Sequence, residues 1–255
     1  SGMVLAGFFF GVSVVGVAQW LFGFVFLGAY AAWLPRHASP GRRALNAATF
    51  IGAGLLTILP VVWWNTAHGG GLVLTSGGAG LNLYSGNNAR ASALPASPRG
   101  LRDIPDYEED DARRLAEREV GHPLLPAGVS RYWSGQALAF ITQHPGDYLA
   151  LLGKKFVALW NHYEIADSYH YTFMRTNFLP LLYAMVTFGL VAPFALVGVV
   201  MPFWRRHDWS ALYLVCFGYL VTPLIFYVRS RYRLPGVPFL LVFAAVAVER
   251  LVGAL

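Results

Sequence analysis

The chain of 255 residues is 56% hydrophobic and 13% charged, with a mean hydropathy of +0.49, where a typical soluble chain carries about 25% charged residues. These values exclude disorder and an ordinary soluble domain, and the lone cysteine, Cys216, excludes a disulfide-stapled secreted one. The formal charge of +6 and the pI near 9.6 come from Arg and Lys scattered between apolar blocks, with no basic stripe, so nucleic acid is not an expected partner.

Crossing the hydrocarbon core of a bilayer takes about 20 apolar residues in a helix. The first such run, Met3 to Leu34, carries no charge. It is long for one crossing, and Gly7, Gly11, Gly16 and Gln19 leave a tilted helix and a broken pair both open. A second run covers about Ala44 to Trp64 and ends at a Trp63-Trp64 pair suited to a membrane boundary. Three more cover about Phe178 to Trp204, Ala211 to Val228 and Pro235 to Leu255. The pattern predicts an all-α polytopic membrane protein with about five transmembrane helices. Residues 1–65 hold spans one and two, 66–177 form an extracytoplasmic helical loop region, and 178–255 hold spans three to five.

Arg36, Arg42 and Arg43 precede the second run, and Arg205 and Arg206 separate the third from the fourth. If both loops are cytoplasmic, as the positive-inside rule prefers, 66–177 lies outside and the N-terminus starts outside. Ser1-Gly2-Met3 opens directly on apolar sequence, with no basic signal-peptide region, and the chain reads as a truncated one. One loop opposes the charge rule. Arg229, Arg231 and Arg233 cluster on the predicted outer face. Two readings stand: snorkelling or pairing with the acidic outer loop, and recognition of an anionic lipid head by guanidinium forks.

The outer segment opens with a glycine-rich stretch, 69–88, whose Asn82, Asn87 and Asn88 offer donors and acceptors. It is read either as a ligand-lining loop or as a turn-rich connector. Eight of the thirteen acidic residues then fall in 103–119, where Asp106-Tyr-Glu-Glu109 predicts a capping box and Gly121 a helix stop. This acidic helix is expected to be a solvated face. A second helix is predicted from Ser130 to His144, carrying Arg131, Tyr132 and Trp133. A third starts at Pro145 and holds the only two lysines, Lys154 and Lys155, on the edge of an apolar face that ends in Trp160, a pattern suited to the membrane interface. Beyond it, Glu164 and Asp167 are i,i+3 neighbours if the turn stays helical. Paired carboxylates suit general-base or metal work, and a structural role is the plainer reading. His162 and His170 lack ligand spacing, so no metal site is assigned.

Taken in order, Pro60-Val-Val-Trp-Trp-Asn65, Gly86-Asn-Asn88, Arg131-Tyr-Trp133, His144-Pro145, Lys154-Lys-Phe156, Trp160-Asn161 with Glu164, and Ser230-Arg-Tyr-Arg-Leu-Pro-Gly-Val-Pro238 resemble the later portion of bacterial GT-C glycosyltransferases. These are relatives of dolichyl-phosphate-mannose-protein mannosyltransferases and aminoarabinose transferases. The resemblance covers roughly residues 60–240. It implies an inner-membrane enzyme that moves a sugar from a polyprenyl-phosphate carrier to a protein, lipid or glycan acceptor on the extracytoplasmic face, in contact with membrane lipids. The catalytic acid of such enzymes usually sits on an early outer loop without counterpart here. A basic residue common in the first span is replaced around Val17-Ala18-Gln19.

Transfer from a lipid phosphate needs cations at the departing phosphate and a base on the acceptor. Arg231, Arg233, Lys154, Lys155 and Arg131 are the expected phosphate ligands. Tyr232, Tyr132, Asn82, Asn87 and Asn88 are the expected pocket residues. The catalytic base is unassigned, with Glu164 a distant substitute. No cofactor is expected; a divalent cation is compatible and not indicated. A non-catalytic subunit that binds the carrier is the alternative. A transporter is disfavoured, because no inverted repeat and no acid within a span is evident.

Overall fold

The computed structural model describes residues 2–33, 38–69, 71–72, 78–102, 104–165, 171–178, 187–201 and 209–253. Every regular element among them is helical: α1 (Gly2–Gly16), a 3-10 turn (Ala18–Phe22), α2 (Gly23–Trp33), α3 (Pro40–Gly69), α4 (Ala79–Gly86), α5 (Pro105–Val120), α6 (Pro126–Gln143), α7 (Pro145–Leu159), α8 (Tyr171–Asn177), α9 (Phe188–Val200), α10 (Ser210–Ile225), α11 (Ser230–Arg233), a 3-10 turn (Leu234–Gly236) and α12 (Val237–Val252). Two stretches, Pro40–His68 of 29 residues and Ser230–Val252 of 23, are long and apolar enough to cross a membrane. At roughly 1.5 Å per residue they measure about 43 and 34 Å, against a hydrocarbon core of about 30 Å. The helices α1, α2, α9 and α10 are apolar but shorter. The expected protein of about five spans thus appears as two spanning-length helices and four shorter apolar ones among the described residues.

The run 3–34 is a broken pair. Gly16 and the β-branched Val17 interrupt it, and Val17 adopts an extended conformation at φ −140°, ψ 98°. The direction of each half follows from its contacts with α3. A Cβ on Gly7 would stand 2.2 Å from the Phe50 carbonyl oxygen, and one on Gly11 2.6 Å from that of Gly54, so α1 runs parallel to α3 at backbone contact. Gly7 and Gly11 are the two small residues of a G-x-x-x-G pair, which lets two helix backbones meet. Gly28 lies against Ile51, the Phe24 ring against Gly54, and Arg43 Nε donates to the Ala32 carbonyl at 2.9 Å, so α2 runs antiparallel to α3. The pair is a helical hairpin clasped on α3 around buried Val14, Phe24, Phe50 and Ile58.

A second group packs α9 against α12 around Ala195, Leu240 and Phe243. Its α10 meets the hairpin through Trp20 and Tyr219, with ring centroids 4.7 Å apart, and through Phe26 and Phe217 at 5.6 Å. Of the expected third span, α9 supplies Phe188–Val200; residues 179–186 and 202–208, with Arg205 and Arg206, lie outside the described residues, as do Arg36, Asp167 and His170.

Between the two groups in the chain, α4, α5 and α6 form a separate cluster centred on Leu81, Ala112, Ala116 and Trp133. Several sequence expectations change here. Residues 79–86 of the glycine-rich stretch are helix rather than loop: in α4, Gly80 sits where a Cβ would be 1.9 Å from the Ser130 carbonyl oxygen, so glycine serves close packing on α6. No Asp106 capping box forms, because Pro105, with its preset φ, takes the first helical position after Ile104. The Gly121 stop is realised, at φ 85°. The second helix begins at Pro126, not after Ser130, for the same proline reason.

The acidic helix is not uniformly a solvated face. Asp111 is buried and takes a bidentate pair from Arg102 at 2.8 and 2.9 Å, the Arg102 backbone N–H at 3.1 Å, and Arg114. The Arg102 bonds, aided by Arg114, hold its carboxyl well below the usual carboxylate range.

Candidate functional site

The arginine cluster lies where α10 ends and the stretch Ser230–Val252 begins. Arg231 is exposed in the first turn of α11 and donates from Nη2 to the Tyr232 hydroxyl at 3.0 Å, its guanidinium 4.9 Å from the Tyr232 ring centre. The Tyr232 hydroxyl meets that of buried Tyr227 at 3.3 Å, and Tyr227 donates to Asn82 Oδ1 of α4 at 3.0 Å. Because Arg231 and Asn82 Oδ1 fix the two ends, the chain runs one way: guanidinium to Tyr232, Tyr232 to Tyr227, Tyr227 to Asn82. Arg229 stands 5.5 Å from the centre of the Tyr227 ring. The arrangement presents two guanidiniums on a hydrogen-bonded tyrosine pair. Such forks match the oxygens of a phosphate.

Two other expected phosphate ligands sit inside the protein. Lys155 is fully buried and donates to Asn87 Oδ1 at 2.9 Å and to the Leu224 carbonyl at 3.1 Å. Asn87, also fully buried, donates to the Leu83 and Ile225 carbonyls, both at 2.8 Å. Leu224 and Ile225 end α10, so their carbonyls lack helical donors, and Lys155 and Asn87 supply them. A cation there also suits the negative end of the helix dipole. Burial still pushes the Lys155 ammonium down to about 8.

Arg233 does the same for α7. It is 2% exposed, and its Nη1 donates to the Leu159 carbonyl at 3.3 Å and the Asn161 carbonyl at 2.7 Å. Its Nη2 donates to the Tyr163 carbonyl at 3.1 Å and Glu164 Oε2 at 2.9 Å, under a face contact with Phe188 at 4.2 Å. With donors engaged by carbonyls and a carboxylate, Arg233 holds the α7 terminus. Glu164 is its counter-ion in the same arrangement. Of the expected phosphate ligands, Lys155 and Arg233 therefore close helix ends, and Arg231 faces outward.

Of the remaining expected residues, Asn88 fixes the loop after α4 by donating to the Tyr84 and Ala96 carbonyls at 2.8 and 2.9 Å. Tyr132 packs edge-on against Trp133 at 5.0 Å, and burial raises its phenol. Arg131 and Lys154 are exposed on α6 and α7, outside the tyrosine network. Among the described residues no group of three His, Cys, Asp or Glu side chains suits a metal. Tyr227 was not singled out from sequence. Its signal was the spacing of Tyr227 and Tyr232 on either side of Arg229 and Arg231.

No family model and no solved structure matches the chain. It is 30% identical over 141 residues to an Endoglucanase A from Paenibacillus lautus, a match covering 50% of this chain and 19% of that protein. The chain spans about a fifth of the length of this relative.

Proposed function

We propose that the chain is a membrane glycosyltransferase of the GT-C type, or the carrier-binding portion of one, taking a sugar from a polyprenyl-phosphate carrier to a protein, lipid or glycan acceptor. The observation that carries this reading is the outward-facing Arg231, buttressed by Tyr232, Tyr227 and Asn82, at the end of a helical stretch long enough to cross a bilayer. A lipid phosphate arrives at that level of a membrane, and a pre-oriented guanidinium loses little freedom on binding it. The proposed setting is a bacterial cytoplasmic membrane. The apolar helices of the two bundles lie in the bilayer, and 66–177 stands on the extracytoplasmic face.

One observation favours the non-catalytic alternative, a subunit that only binds the carrier: Glu164, the substitute base, is engaged by Arg233. The name Endoglucanase A places a glycan-directed protein among the similar sequences. It adds no assignment of a catalytic residue.

Binding of a polyprenyl monophosphate to the protein in lipid nanodiscs tests the reading. Arg231→Ala is expected to weaken binding at least tenfold, since losing a charge-assisted hydrogen bond costs about 1.5–3 kcal/mol. Arg231 is exposed, so the variant should fold. Undiminished affinity in Arg231→Ala overturns the site. Carrier binding by the wild type without transfer from a polyprenyl-phosphate sugar supports the subunit alternative.

A further inference from the structure

The cluster of α4, α5 and α6 lines a pocket of about 220 Å³. Three helices build its walls. From α5 come Glu109, Asp110 and Arg113; from α6 come Val129, Ser130 and Trp133; Leu81 of α4 adds an apolar surface. The α6 residues lie on one helical face, and Ala112, between the α5 residues, anchors Trp133 by accepting its indole N–H at 3.1 Å. Trp133 therefore offers the pocket ring surface and no donor.

The polar groups are of both kinds. The Ser130 hydroxyl accepts from the Gly80 N–H at 3.0 Å, which leaves its own proton to donate. Arg113 pairs with Asp110 through one N–H at 2.8 Å and keeps others. The Glu109 carboxylate makes no hydrogen bond or ion pair with a described residue. An apolar wall with a few convergent donors and acceptors is the usual makeup of a small-molecule site, and the volume lies below the roughly 300–1,000 Å³ of pockets for drug-sized ligands.

We infer that this pocket binds one ring of a neutral saccharide. A sugar ring has an apolar face for Leu81, Val129 and Trp133, and hydroxyls that donate to Glu109 and Asp110 and accept from Ser130 and Arg113. A phosphate would meet the Glu109 carboxylate, and a metal cation would meet the Arg113 guanidinium. The pocket and the arginine network also share α4: Leu81 lines the first, and the next residue, Asn82, ends the second. As an acceptor subsite the pocket rests on the transferase reading; as a saccharide site it rests on its lining alone.

The test is saturation-transfer NMR on the protein in nanodiscs, with a panel of neutral hexoses, pentoses and short oligosaccharides and no polyprenyl phosphate present. Sugar ring protons are expected to receive saturation, with affinity reduced at least tenfold in Glu109→Gln and in Val129→Phe. Glu109 is exposed, so Glu109→Gln decides the matter if Val129→Phe fails to fold. Three results overturn the site: no transfer to any saccharide, equal binding by wild type and Glu109→Gln, or binding of inorganic phosphate or a simple amine in place of sugars. Because the carrier is absent, failure here leaves the Arg231 test standing, and failure of the Arg231 test leaves sugar binding intact.

Discussion

Lys155 and Arg233 are the residues whose roles changed most between sequence and structure. Each lies beside an exposed basic neighbour in a motif-like run, and a linear reading gives Lys154 and Lys155, or Arg231 and Arg233, the same chemistry. In α7 and α11 the position around the helix decides which one faces inward, and the inward side chain meets the open carbonyls of another helix end. The buried ammonium makes a pH prediction. Lys155 titrates near 8 in the fold and, by the ordinary value, near 10.4 when unfolded. Between these values the unfolded chain holds a proton that the folded chain has lost, so stability rises with pH across that window. A neutral amine keeps two N–H donors for Asn87 and Leu224, so the contacts survive deprotonation. The difference in melting temperature between wild type and Lys155→Met is expected to grow in favour of wild type from about pH 8 to 10. A pH-independent difference refutes this account.

At the scale of elements, the apolar runs and two helix ends were legible, because Pro145 opens a helix and Gly121 closes one, whereas the starts at Pro105 and Pro126 were placed too late in the chain. The hairpin was only half legible. Glycines in 3–34 suggested a break, yet Gly7 and Gly11 serve contact with α3, and the break falls at Val17. A glycine that breaks a helix and one that lets two helices touch are the same letter; the partner backbone distinguishes them. Gly11→Leu is therefore expected to drive α1 from α3, with the Gly54 carbonyl in its way. Disulfide trapping between cysteines introduced at residues 10 and 50, whose rings lie 5.7 Å apart across the two helices, should occur in the parent and fall severalfold with Gly11→Leu. Unchanged trapping would mean that the two helices do not meet there.

For the whole molecule, the hairpin returns the chain to the side from which it came, so residues 2 and 39 lie at the same end of α3. The sequence reading placed the N-terminus outside; a paired α1 and α2 places it with the 38–43 segment instead. Cysteines at 2 and 39 are expected to react with a membrane-impermeant thiol reagent from one side only, and a cysteine at 110 from the other. Labelling of 2 and 110 from the same side would contradict the hairpin topology.

The sequence by itself determined that the chain is apolar and helical, where many helices start and stop, and that arginines crowd one boundary. Composition and local propensity act residue by residue, so those features survive without a fold. Only the tertiary structure decided that Arg231 faces outward while Lys155 and Arg233 close helix ends, that Tyr227 joins Asn82 to the arginine turn, and that α4, α5 and α6 line a pocket. Each of these depends on groups 21 to 145 positions apart, from Ala112 and Trp133 to Asn82 and Tyr227, or on which face of a helix meets its neighbour.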